Sequence, residues 1–114
     1  MSFEKLGNNQ EFQKVYKKGR SRANKYLVMY VVKGQSGPSR YGFSVSKKVG
    51  NSVKRHRVTR LLRETVRKYD ASVAVGCRII IIARPTVAEV GLDEVSEAVK
   101  NLFKAHRIWK DSEK

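Results

Sequence analysis

The 114-residue sequence holds one cysteine, Cys77, so neither a disulfide nor a cysteine-based metal site can be built within one chain. Cys77 stands beside an apolar run and reads as a buried structural thiol, neither catalytic nor disulfide-bonded. Long hydrophobic stretches are also missing. The longest purely apolar run, Ile79 to Ala83, is far too short to span a membrane. The opening MSFEKLGNNQ lacks the apolar centre of a signal peptide, so a cytoplasmic protein with no membrane partner is expected. No repeat, low-complexity segment or linker interrupts the chain, and its length fits a single domain over residues 1–114. Acids number only ten and are scattered, whereas a two-metal nuclease needs several converging carboxylates. No catalytic or metal site is therefore expected in the protein. Neither histidine suits a general base: His56 sits in a row of arginines and His106 near the end of the last helix.

What is abundant is positive charge, 25 Lys and Arg for a formal net charge of +15. It is unevenly spread. Residues 1–68 carry 18 bases against Glu4, Glu11 and Glu64, and residues 69–114 carry seven bases against seven acids. A one-sided excess destabilises the fold by self-repulsion, so a polyanionic partner explains it better than a generic solvated surface. Nucleic acid is the first candidate partner and an anionic membrane the second. Hydrophobic residues make up 40% of the chain, which sets it apart from a disordered basic tail.

Periodicity predicts the elements. A first helix is expected over residues 9–18, with Asn8 as N-cap, Glu11 completing a capping box, and Gly19 ending it. Phe12, Val15 and Tyr16 share one face. Residues 26–33 and 40–46 read as strands, joined as a hairpin around the Gly34–Pro38 loop. A second helix over 52–69 carries an apolar stripe of Val58, Leu61, Leu62, Thr65, Val66 and Tyr69. The run RIIIIAR at 78–84 suits a strand covered on both faces. A last helix spans about 92–106, with acids early and bases late to suit its dipole. The order α-β-β-α-β-α indicates an α+β two-layer sandwich, helices packed on a mixed sheet.

The segment from Ser46 to Glu64, SKKVGNSVKRHRVTRLLRE, carries the chemistry. His56, Arg60, Arg63 and Arg67 recur at i, i+4, i+7 and i+11, a ridge opposite the apolar stripe. Arg57 and Lys68 flank it, with Glu64 placed to pair with either. Guanidinium groups suit phosphate because each can donate two parallel hydrogen bonds. Before the helix, Lys47 and Lys48 precede a Gly50-Asn51-Ser52 turn. That turn reads either as a plain cap or as an anion site at a helix N-terminus. Phe12, Tyr16 and Tyr30 have two readings as well: core packing, or a stacking surface for unpaired bases.

This segment resembles the signature of the bacterial ribonuclease P protein family: Lys47-Lys48-Val49-Gly50-Asn51, then Arg55-His56-Arg57, Arg60, Arg63 and Glu64. The likeness extends through NNQEFQKVYKKGRSRAN, YLVMYVV, YGFSVSKK and IIIIAR. Two positions depart: His56 stands where the family usually has Asn, and Thr59 where it has Lys or Arg. The resemblance implies a ribosomal protein S5 domain 2-like fold with a left-handed βαβ crossover. It implies a protein that binds a catalytic RNA and assists removal of the 5′ leader from precursor tRNA. Lys48, Asn51, Arg55, Arg57, Arg60, Arg63 and Arg67 would meet the RNA subunit. Phe12, Tyr16, Tyr30, Ser46 and Lys47 would meet the leader. Magnesium (Mg2+) would be held mainly by the RNA, with one protein per RNA. A ribosomal or assembly protein would explain charge and fold as well, but not the ordered motif. A protein-only nuclease would need the missing carboxylate cluster. A helix-turn-helix DNA reader would need a short helix before the basic one.

Overall fold

The computed structural model describes residues 3–110. In chain order the elements are β1 (Glu4–Lys5), α1 (Asn9–Lys18), β2 (Arg20–Ala23), β3 (Leu27–Val32), β4 (Arg40–Ser44), α2 (Ser52–Tyr69), β5 (Arg78–Ala83) and α3 (Leu92–Ala105). All three helices and the three longer strands lie where periodicity puts them, to within two residues at their ends. The sheet has the order β1-β4-β5-β3-β2. Strands β3 and β5 are antiparallel, and β4 and β5 are parallel across α2. The fold is thus α+β on a mixed five-stranded sheet.

The expected hairpin between β3 and β4 does not form, because β5 lies between them. The four isoleucines explain this. Ile79, Ile80 and Ile81 are wholly buried, and only a central strand can cover both faces of such a run. The 33–39 loop therefore bridges the start of β5 instead of turning tightly. Gln35 N–H donates to the Gly76 carbonyl and Arg40 N–H to that of Cys77, while Arg78 donates to the carbonyls of Ser36 and Pro38. Two edge strands, β1 and β2, add to the expected order. β2, Arg-Ser-Arg-Ala, is exposed at every position and so has no apolar alternation to betray it.

The main core lies between the sheet and the α2/α3 layer. There Leu27, Met29, Tyr41, Ile79 and Ile81 meet Val58, Leu62, Val66, Val95, Val99 and Phe103. α1 covers the opposite face, where Val15 and Leu6 bury Ile80. Asn8 caps α1 as expected, accepting from Glu11 N–H at 3.1 Å. The Glu11 carboxylate reaches one residue further back than a capping box requires, accepting from Gly7 N–H. Cys77 is 1% exposed and its backbone N–H donates to Ser39 Oγ. Burial pushes its thiol above the usual range, which keeps it protonated and unreactive.

Candidate RNA-binding surfaces

α2 presents opposite sides to the core and to solvent. Val58, Leu62, Thr65 and Val66 are fully buried, and their spacing fixes the rotation of the helix. That rotation leaves His56, Arg60 and Arg67 exposed. The ridge is uneven, however. Arg63 is half-buried, and its Nε is buried without a hydrogen-bond partner, so the arginine row is not a uniformly solvated face. Glu64 pairs with neither expected partner. It stands 3.9 Å from Arg67, while Lys68 Nζ donates to Ser96 Oγ. Arg57 is committed elsewhere: its two terminal nitrogens donate to the carbonyls of Ala88 at 3.1 Å and Val90 at 2.6 Å.

The entry turn is built as a cap. Asn51 Oδ1 accepts from Lys54 N–H at 3.0 Å, and Arg55 Nε donates to the Gly50 carbonyl at 3.2 Å. Gly50 has φ of 154°, in the range that favours glycine. Ser46 Oγ accepts from Lys48 N–H, so the serine ends β4's direction and starts a short 3₁₀ turn. Ser46, Lys47 and Lys48 are exposed. Lys54 Nζ meets Glu89 at 2.7 Å, and that contact holds the Glu89 carboxyl below its ordinary range. Of the seven residues expected at the RNA subunit, Lys48, Asn51, Arg57, Arg60 and Arg67 are exposed, and Arg55 and Arg63 are half-buried. Asn51, Arg55 and Arg57 spend hydrogen bonds on shaping the turn and the neighbouring loop. Glu89 and the 88–90 carbonyls were not legible, since nothing near them marks them as partners for residues more than 30 positions away.

The other face brings the three aromatics together. Tyr16 and Tyr30 touch edge to face, with ring centroids 5.1 Å apart, and Tyr16 is 37% exposed. Phe12 is half-buried over β4. A Cβ built on Gly42 would come within 2.4 Å of Phe12 Cζ, so the ring rests on the bare backbone there. Gly42 was missed as a site residue, although a glycine in a strand interior is a recognised sign of close approach. Each aromatic is packed on one side, and Tyr16 keeps ring surface open to solvent.

Among the described residues no three His, Cys, Asp or Glu side chains converge as metal ligands. His106 is buried, its Nε2 3.0 Å from the Met29 carbonyl, and burial pushes its pKa down. The described residues on these two surfaces offer flat rings, guanidinium groups and ammonium groups. No helix among them is long and apolar enough to cross a membrane.

Residues 2–107 match the family model described as Ribonuclease P. A ribonuclease P protein component from Lachnoclostridium phytofermentans is 50% identical over 110 residues, covering 96% of this chain and 95% of its own. One from Clostridioides difficile is 44% identical over 100 residues, covering 87% and 88%. The solved structure of the Staphylococcus aureus RNase P protein superposes with a TM-score of 0.84 at 30% identity, covering 93% of this chain and 97% of its own. That from Thermotoga maritima superposes at 0.81 and 29% identity, covering 90% and 96%.

Proposed function

This chain belongs to the ribonuclease P protein component family, and from that premise we propose that its two faces handle two RNAs. The exposed cations of α2 and its entry turn dock on the catalytic RNA subunit, and the α1 face receives the single-stranded 5′ leader of precursor tRNA. One observation carries this reading: half-open aromatics lie on the face of the sheet opposite the arginine-bearing helix.

Phosphodiester cleavage then falls to the RNA subunit, which also holds the magnesium. The described protein residues form no group of three or more His, Cys, Asp or Glu side chains placed to hold a metal ion. The protein contributes binding. Lys48, Arg60 and Arg67 neutralise phosphates, while Arg63, Asn51, Arg55 and Arg57 set the shape and spacing of that surface. Tyr16 and Tyr30 stack on leader bases, with Phe12 seating the helix and Ser46 and Lys47 following β4 on the way to the RNA-subunit side. Stacking is tolerant of sequence because every base has a flat face, which suits a processing enzyme with many precursors. One protein per RNA suffices for this division, and the cytoplasm is the compartment where precursor tRNA is met.

The test is reconstitution. Purified protein should restore cleavage to a ribonuclease P RNA at low magnesium. Tyr16→Ala and Tyr30→Ala should weaken precursor tRNA binding by about 1–3 kcal/mol for each stacked base, and leave mature tRNA binding unchanged. Equal weakening of both substrates, or a loss confined to thermal stability, would show that the leader lies elsewhere.

A further inference from the structure

Glu64 is the anomaly of the basic helix. α2 carries seven Lys and Arg and a single acid, and no other acid occurs between residues 12 and 69. On a face that meets phosphates, a carboxylate repels what its neighbours attract. Ion pairing does not explain it. The carboxylate stands 3.9 Å from Arg67, and both side chains lie largely in water, 64% and 47% exposed. That distance is too long for a hydrogen bond, and an exposed pair of this kind contributes little. No other cation among the described residues meets Glu64.

What Glu64 does border is a hollow between two helices. Arg57, Arg60 and Leu61 of α2 line it, together with Leu92, the first residue of α3. Leu61 is half-buried and Leu92 is 38% exposed, so apolar surface there is open to water. One exposed leucine is ordinary. Here two leucines, a carboxylate and two guanidinium groups meet in one place. Arg57 forms a fixed wall. Its two terminal nitrogens are spent on the carbonyls of Ala88 and Val90, and the flat face of the guanidinium is what it has left to offer. Arg60 pairs with no carboxylate among the described residues.

These parts suit a nucleobase better than a phosphate. Unpaired bases of RNA are held by stacking on arginine planes and by hydrogen bonds to their pairing edges. A carboxylate accepts from base N–H groups and repels phosphate. The hollow has a volume of about 170 Å³, below the roughly 300 Å³ at which sites for whole small molecules begin. It has room for part of one base and not for a free nucleotide.

Resting on the reading of α2 as the RNA-subunit surface, we propose that this hollow receives one unpaired base of the RNA subunit. The base lies against Arg57 and the two leucines. An N–H on its pairing edge donates to the Glu64 carboxylate, and Arg60 meets the adjoining phosphate. α2 thus recognises the RNA at one nucleotide as well as holding its backbone.

The test measures binding of the whole chain to ribonuclease P RNA, without substrate, over a range of salt. Glu64→Ala removes an exposed carboxylate and leaves a strong helix former in its place, so the fold should persist by circular dichroism. Affinity should fall about tenfold, as when a hydrogen bond to a charged group is lost. The salt slope should not change, because no phosphate contact is removed. Unchanged or tighter binding would overturn the proposal, leaving the carboxylate a repulsive bystander. The same loss is expected in an Arg67→Ala background; no further loss there would assign Glu64 to holding Arg67 and reject the base. Reagents that modify the pairing edges of unpaired bases should find one base of the RNA protected by the wild-type protein and open with Glu64→Ala. Weaker binding with no base edge protected would make the donor a ribose 2′-hydroxyl, and the base site falls. Arg60→Ala combined with Arg67→Ala separates this proposal from the reading beneath it. If that pair changes neither affinity nor slope, α2 is not the RNA surface and both fall. If it weakens binding and flattens the slope while Glu64→Ala weakens nothing, the base site alone is rejected.

Discussion

Gly42 and Phe12 meet because one of them has no side chain. Cβ at position 42 would also lie 2.9 Å from Leu6 Cδ1, so the site is closed from two directions. Gly42→Ala should force Phe12 out of its seat, destabilise the fold by about 1–3 kcal/mol as an overpacked site does, and reduce leader affinity with it. Urea denaturation and precursor-against-mature tRNA binding check this. Unchanged stability would mean that Phe12 can move freely. At this scale residue types were legible in the sequence but partners were not. Arg57 reads as one more phosphate ligand in a basic helix, yet its guanidinium is held by two carbonyls of the 88–90 loop. Arg63 falls in the same row as Arg60, but the helix turns it partly inward. Helical spacing gives the angle of a residue around the axis. It does not give what the next layer places beside it.

The second helix is the element most nearly written in the sequence, since an apolar stripe and a charged ridge constrain it from both sides. Its use as an RNA anchor is best tested with the exposed arginines. Arg60→Ala combined with Arg67→Ala should leave the fold intact. It should weaken RNA-subunit binding and flatten its salt dependence by roughly one unit for each phosphate left without its arginine. An unchanged affinity and slope would remove α2 from the interface. Arg63 is a poor choice for this test, because its half-buried side chain would mix stability into the result. The strands were less legible. β3, β4 and β5 show in their composition, but their order does not. Loop 34–38 has hairpin chemistry, and only the need to bury β5 on both faces overrides it. β1 has two residues and β2 no apolar face, so each exists through pairing with a neighbour and leaves no pattern of its own.

For the molecule as a whole, His106 links the end of α3 to strand β3 through the Met29 carbonyl, 77 residues away in sequence. Its folded-state pKa lies below the unfolded value of about 6.5. As pH falls, the unfolded chain therefore takes up its proton first. The contribution is complete above about pH 6.5 and is lost as pH drops towards the folded value. The urea midpoint should fall between about pH 7.5 and about pH 5.5, and His106→Gln should flatten that fall. A wild-type midpoint constant across the interval would show that the imidazole charges without penalty. The position of β5 governs how the protein is made. It begins at residue 78 of 114 and separates β3 from β4, so both earlier strands emerge from the ribosome without the neighbour they share. A nascent chain ending at Gly76 already holds every candidate RNA-subunit and leader residue, and 18 of the 25 bases, but no sheet centre. During synthesis the chain is an unfolded polycation among RNA, and it can become a selective binder only when its last third arrives.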